Sequence, residues 1–409
     1  MNVLRSERFA AALLLVAAVL GLVIANLPFS PAAVDLKNAH LEIPWLGLDL
    51  STGHWVSDGL LAIFFFIVAV ELKRELVIGE LNSLSKALLP AIAAVGGVVV
   101  PAGIFIAFTA GTDTVDGWPI PTATDIAFAL GVLAVFGRFL PTRVRVFLLA
   151  LAVLDDLIAI LIIAFFFTTD ADLAALGFGV IAITLFGMVS RLMKPRSSWI
   201  LSRRPQWPVM ALLIVLGVLA WYFVYQSGVH ATIAGVALGL VMARRPAGRA
   251  AHALEPWSNG VILPLFAFTA AMVPVPQVSP SELDPAFWGI LVGLPVGKIV
   301  GITLAGLLGG LVARQKPGTT TPLTLGDLVV VGALGGIGFT VSLLMNELAF
   351  AGIEGVADEG TLAVLLGSGI AIVLSAVFVT IRSRQYRRRG SSRARNPAPA
   401  MISAESRAN

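Results

Sequence analysis

Residues 144–167 read VRVFLLALAVLDDLIAILIIAFFF, an apolar run with Arg145 near its start and two adjacent aspartates, Asp155 and Asp156, at its midpoint. Arg143 precedes the run and Asp170 follows it. A helix of this length rises roughly 36 Å, enough to cross a hydrocarbon core of about 30 Å. An ionised aspartate at such depth costs roughly 2.5–3.5 kcal/mol on insertion scales. Two in succession must face an aqueous cavity, a bound cation or a basic partner. The stretch therefore predicts a membrane-spanning helix with an ion or proton site at its centre.

The rest of the chain agrees with a membrane setting. Of its 409 residues 57% are hydrophobic and only 13% charged, with mean hydropathy +0.92. A soluble domain carries about 25% charged residues, so that class is excluded. There is no cysteine, hence no disulfide and no thiolate metal site. The net charge of +4 lies in short loops and the C-terminal tail, where topology explains it without nucleic acid.

Twelve apolar stretches can be drawn, at about 9–27, 55–72, 87–108, 119–137, 143–167, 172–190, 208–225, 227–243, 257–275, 286–310, 326–350 and 360–381. The expected fold is an all-α polytopic membrane protein of about 12 spans. Of the 28 Lys and Arg residues, 26 fall at the N-terminus, in every second loop and in the tail, while Lys37 alone occupies the intervening loops. By the positive-inside rule both termini are cytoplasmic. The twenty-eighth, Lys298, lies inside the tenth stretch.

The first stretch follows Arg5 and Arg8 as a signal peptide would, but its apolar run of about 18 residues is long for one and favours a retained span. Residues 38–54 alternate apolar and polar before a turn-like Ser51-Thr52-Gly53, as a surface hairpin or a plain surface loop would. Residues 1–381 are expected to form one transmembrane domain. Residues 382–409, basic and rich in Ser, Pro and Ala, read as a disordered cytoplasmic tail in contact with anionic lipid.

Four ionisable groups fall deep within the spans: Asp125, Asp155, Asp156 and Lys298. Pairing buried charges is at best neutral for stability, so a purely structural network is the weaker reading beside an ion or proton site. Side chains one residue apart on a helix diverge by about 100°. One aspartate of the doublet can thus face a basic partner while the other faces the cavity. Before Asp125, Pro119 and Pro121 with Thr122 and Thr124 predict a helix broken or extended at that point. Carbonyls freed there suit a cation, and the acid suits a nearby helix end. A second interruption is expected where Gly332, Gly335, Gly336 and Gly338 cluster, although close helix packing also explains such glycines. Interrupted spans in two halves of a transporter point to a site at the midplane. Here they are the fourth and eleventh, as an inverted repeat of spans 3–5 and 10–12 requires.

The strings PTATDIAFALGVL, LAVLDDL, SGVHATIAG, ILPLFAF and GGIGFTVSLL, in this order, closely resemble bacterial sodium/proton antiporters of the NhaA family. The resemblance runs from about Phe9 to Ile381. It implies that Asp155 and Asp156 form the cation and proton site, with Asp156 the principal sodium ligand and Asp125 and Thr124 assisting. It implies that Lys298 pairs with the first aspartate. Two discontinuous helices would cross near the midplane at Thr122–Asp125 and Gly335–Gly338. A cytoplasmic pH-responsive region would comprise Glu71, Arg74, Glu75, His252 and Glu255, with Ala251 and Glu255 departing from the family's usual glutamate and histidine there. His230 matches another position linked to pH response, though a hydrogen-bonded structural histidine is the more ordinary reading.

The resemblance further implies exchange of Na+ or Li+ for protons across the bacterial cytoplasmic (inner) membrane by a homodimer, with no cofactor beyond the transported ion. Burial favours the neutral carboxyl and a nearby cation the charged one, so proton and metal ion compete for one site. No phosphate-binding loop indicates an ATP-driven pump, so the protein is read as a transporter powered by the proton gradient and not as an enzyme. A sodium-coupled symporter of organic anions would need a cationic anchor besides Lys298. An intramembrane aspartyl protease would need a GxGD string, and Gly326-Asp327 has Thr324 where that string has glycine.

Overall fold

The computed structural model describes residues 6–28, 30–79, 81–168, 171–193, 206–312 and 323–395. It is 81% helical, an all-α polytopic membrane protein. The helices are α1 (Glu7–Ala25), α2 (Ser30–Asn38), α3 (Leu61–Ile78), α4 (Leu84–Thr109), α5 (Ile126–Phe136), α6 (Thr142–Phe166), α7 (Leu173–Ser190) and α8 (Trp207–Gln226). They continue as α9 (Thr232–Val241), α10 (Arg244–Trp257), α11 (Leu263–Ala270), α12 (Pro285–Val292), α13 (Lys298–Val312), α14 (Leu325–Gly335), α15 (Phe339–Ala349) and α16 (Glu354–Arg395).

Among the described residues nine helices are long and apolar enough to cross a bilayer, ten if α14 and α15 count as one bent span. The expected stretches at 227–243 and 257–275 hold shorter helices instead. α9 has 10 residues, roughly 15 Å and half the hydrocarbon thickness. α11 has 8 and follows a π-helical turn over Ser258–Ile262. Outward-facing side chains such as Ile214 and Phe178, 62% and 57% exposed, are apolar because lipid is their solvent.

Residues 40–51 form an antiparallel hairpin pairing His40 with Ser51 and Ile43 with Leu48. Leu48 and Leu50 face inward and the turn closes through Gly47 at φ +61°. The last helix runs past the expected boundary at 381 as far as Arg395. The remainder of the expected tail, 396–409, lies outside the described residues, as do the basic loops at 194–205 and 313–322.

Close helix approach brings the third and tenth stretches together. A Cβ on Gly301 of α13 would stand 2.1 Å from the Gly96 carbonyl oxygen of α4, so neither position admits a side chain without separating the two helices. At the basic end, Asp327 in the first turn of α14 is fully buried. It accepts from Arg382 Nε at 2.9 Å and from the Tyr386 hydroxyl at 2.9 Å and 3.0 Å, and it pairs with Arg143 Nη2 at 3.6 Å. One carboxylate thereby ties α14 and α16 to the start of α6. With its oxygens so engaged, Asp327 serves as a structural anchor and not as half of a proteolytic pair.

Overpacking costs about 1–3 kcal/mol, so Gly301→Val is expected to lower the thermal midpoint of the detergent-purified protein by several degrees. Gly103, where an added Cβ would meet nothing within 4 Å, is the control. Gly103→Ala should leave the midpoint unchanged or raised, and equal losses in both would refute the packing account.

Candidate functional site

α6 carries the aspartate doublet, and the 100° between neighbours sends the two carboxylates to different surroundings. Asp155 is 2% exposed and accepts from Lys298 Nζ at 2.9 Å through both of its oxygens. Lys298 is itself fully buried. It opens α13 directly after a π-helical turn at Gly293–Gly297, where the altered winding re-aims the chain beside Pro101 of α4. Asp156 differs in every respect. It is half-buried and makes no hydrogen bond among the described residues, while Asp155, Asp125, Glu71 and Lys298 all lie within electrostatic reach of it.

Two interruptions of helix meet beside this pair. After a 3-10 turn at Ile120–Thr122, closed by the Thr122 hydroxyl on Pro119 O at 2.7 Å, the backbone runs extended through Ala123 to Asp125 before α5 begins. Opposite it, α14 ends at Gly335 and α15 starts at Phe339 with a bend of 51° between them. Asp125 N donates to Ile337 O at 2.6 Å, and the Thr124 hydroxyl donates to Gly335 O at 2.7 Å while standing beside Asp155. The glycines here serve close approach: a Cβ on Gly336 would lie 2.8 Å from Leu294 O, and one on Gly338 would meet Ser342 Oγ at 2.2 Å. Immediately after them Phe339 adopts φ +22°, a conformation that L-residues rarely take.

Asp125 is shared between two helix N-termini. Its Oδ1 accepts from Ala127 N at 3.1 Å and Phe128 N at 3.2 Å, capping α5. Its Oδ2 accepts from Thr340 N at 3.3 Å and Thr340 Oγ1 at 2.6 Å, at the start of α15. A carboxylate at two positive helix ends is held by charge-assisted bonds at both. In this conformation its oxygens are taken up by protein donors, whereas the Asp156 side chain has no hydrogen-bond partner among the described residues.

The pH-response candidates divide into two places. Arg74, Glu75 and Glu255 lie within electrostatic reach of Glu71, and His252 Nδ1 stands 3.5 Å from Glu255 Oε2. Glu71 also acts on Asp156, so this group adjoins the doublet from the basic side. His230 is elsewhere. It precedes α9, with Nε2 3.3 Å from Asp58 Oδ1 and Nδ1 2.9 Å from the Thr232 hydroxyl, and is 9% exposed, as a hydrogen-bonded structural histidine would be.

Sequence reasoning passes over two carboxylates inside the spanning helices, Asp58 and Glu347. Asp58 lies in the π-helical turn Trp55–Leu60 that leads into α3, and Glu347 in the last turns of α15. Both fall within stretches drawn from hydropathy alone, at 55–72 and 326–350, so their positions are the available signal.

The family model described as Na+/H+ antiporter 1 matches residues 1–379. The Na(+)/H(+) antiporter NhaA 2 of Clavibacter michiganensis subsp. michiganensis is 61% identical over 391 residues, covering 96% of this chain and 94% of its own. The Na(+)/H(+) antiporter NhaA of Tropheryma whipplei is 46% identical, covering 96% and 97%. The NhaA 3 protein of Streptomyces coelicolor is 44% identical, covering 94% and 81%.

Removing one partner of a buried ion pair costs about 3–5 kcal/mol. Lys298→Ala is therefore expected to lower the thermal midpoint far more than Asp156→Asn, since the Asp156 carboxylate has no hydrogen-bond partner to lose among the described residues. Comparable melting of the two variants would contradict the division of the doublet.

Proposed function

The chain belongs to the Na+/H+ antiporter 1 family, and from that premise we propose that it exchanges Na+, and also Li+, for protons at Asp156 and Asp155. The observation that carries the reading is the split of the doublet, with Asp155 engaged by Lys298 and Asp156 half-buried and unpartnered among the described residues. An anionic carboxylate beside polar backbone at two helix interruptions is a hard-oxygen environment of the kind that small cations prefer. A carboxylate that has taken up a proton offers no charge to the cation, and one that holds the cation has released its proton. Alternate opening of the site to the two sides then couples the flows without a further device.

In this reading Asp125 and Thr124 hold the interrupted segments of the fourth and eleventh spans in register beside the doublet. Those segments are the midplane crossing of an inverted repeat built from spans 3–5 and 10–12, within a transporter domain of twelve spans covering residues 1–381. Lys298 neutralises Asp155 and releases it when the cation arrives. The protein resides in the bacterial inner membrane with both termini cytoplasmic, works as a homodimer and needs no cofactor. If more than one proton is exchanged per Na+, transport responds to voltage by about 2.3 kcal/mol per net charge and 100 mV. Glu71, Arg74, Glu75, His252 and Glu255 tune the pH at which the site becomes accessible.

Everted membrane vesicles containing the protein should dissipate an imposed pH gradient on addition of NaCl or LiCl, and Asp156→Asn should abolish the response. Normal exchange by that variant would remove Asp156 from the site. Glu255→Gln is expected to displace the pH profile of exchange while leaving the maximal rate within about twofold, since it changes the charge around Glu71 and not the doublet. An unmoved profile would separate this cluster from regulation.

A further inference from the structure

On the side away from the arginine-rich loops, a second group of charges closes over a small cavity. The cavity measures 90 Å³, and Lys37, Ser57, Asn346, Glu347, Asp358 and Thr361 are among its lining residues. Such a volume holds several waters or one partly hydrated ion. Glu347 makes neither a hydrogen bond nor a direct ion pair among the described residues. Around it Asp58, Lys37, His54 and His230 lie within electrostatic reach, from α2, the turns leading into α3 and the approach to α9. Asp358 faces it from α16.

Three further observations converge on this place. Lys37 is the single Lys or Arg in the loops of this side. Its side chain packs across Gly53, with Cγ and Cε 3.4 Å and 3.7 Å from where a Cβ would stand, and both residues line the cavity. Asn346, 1% exposed, fixes the cavity wall by joining α15 to α16, donating its amide to Ala357 O at 2.8 Å and to the Thr361 hydroxyl at 3.0 Å while its Oδ1 packs against Gly360. Finally, Glu347 lies seven residues beyond Thr340, the residue whose hydroxyl holds Asp125. Seven residues are two helical turns, roughly 10 Å along one face of α15. The carboxylate in the cavity is thus joined by a single rigid helix to the interruptions beside the doublet.

We propose that this cavity is a second cation station, in which Glu347 binds the transported small monovalent cation and the Lys37 ammonium neutralises the carboxylate when no cation is present. The inference rests on the exchange reading above. A carboxylate with the Ser57 and Thr361 hydroxyls among the residues lining the same cavity is the donor set of a hard cation. Lys37 plays toward Glu347 the part that Lys298 plays toward Asp155, a tethered charge in competition with a free one. Having no direct ion pair with its carboxylate among the described residues, Lys37 is the more easily displaced of the two.

The test is the Na+ dependence of exchange with Na+ presented to one face at a time, in right-side-out and everted vesicles. Glu347→Gln should raise the half-saturating Na+ concentration about tenfold on the face bearing Lys37, and Lys37→Met should lower it about threefold, with the opposite face changed less than about twofold in both. Glu347→Asp should restore most of the loss. Variants that leave the Lys37 face unaltered, or that shift both faces alike, would overturn the station. If Glu347→Gln fails to reach the membrane, Lys37→Met decides the matter alone. A wild-type protein without any exchange would remove the exchange reading itself, whereas normal wild-type exchange with unresponsive variants would remove only the station.

Discussion

The bond between Lys298 and Asp155 is the constraint on which the remaining structure turns. Each charge alone would cost several kcal/mol to hold in apolar surroundings, and their attraction offsets this only because the geometry is close and dry. Lys298 Nζ reaches both carboxylate oxygens at 2.9 Å, with both residues almost entirely buried. Before the ammonium the chain winds through a π-helical turn at Gly293–Gly297, and α13 packs glycine to glycine against α4. The pair thus accounts for a local irregularity of winding and for an unusually close helix contact. It also leaves the second aspartate of the doublet without a hydrogen-bond partner among the described residues.

Asp125 solves a different problem, that of backbone groups exposed by broken helices. Where two helices begin inside a membrane, their first N–H groups have neither intrahelical partners nor water. One carboxylate serves both starts, with Oδ1 on α5 and Oδ2 on Thr340 of α15. The two segments are joined by the 2.6 Å bond from Asp125 N to Ile337 O. A cap shared in this way links the two segments mechanically, because movement of either one strains the bonds of the other.

Much of this is legible in the sequence for reasons that are themselves physical. Hydropathy and the placement of Lys and Arg define spanning helices because lipid tolerates few alternatives, and the doublet stands out because charge at such depth is costly. The prolines and threonines before Asp125 announce an extended segment, and the structure has one at Ala123–Asp125. The glycine cluster allows two readings; the chain bends there and packs closely there, so the readings are not exclusive. Other features depend on tertiary contacts that no local pattern encodes. The short α9 reads as a full span because the stretch drawn at 227–243 joins Ser227–Ala231 to it, residues that precede the helix and lie outside it. Asp58 and Glu347 escape notice because attention to the centres of spans discounts acids nearer the ends. The last helix outruns its expected limit because arginines are good helix formers once an apolar stretch has started the helix.

The knot around Asp327 bears on how such a molecule could move. Arg143, Arg382 and Tyr386 converge on that one carboxylate, and Arg143 belongs to the first turn of the helix that carries the doublet. That helix is therefore pinned at its foot, whereas the polar restraint on its middle is the bond from Lys298 to Asp155, set among apolar contacts such as Leu151 and Ile160. A rod fixed at one end tilts about the fixed end, so its travel grows with distance from the pivot. A slight lean at the arginine end becomes a larger sideways sweep a dozen residues along, at the level of Asp155 and Asp156, and the fastening at Asp327 acts as a fulcrum.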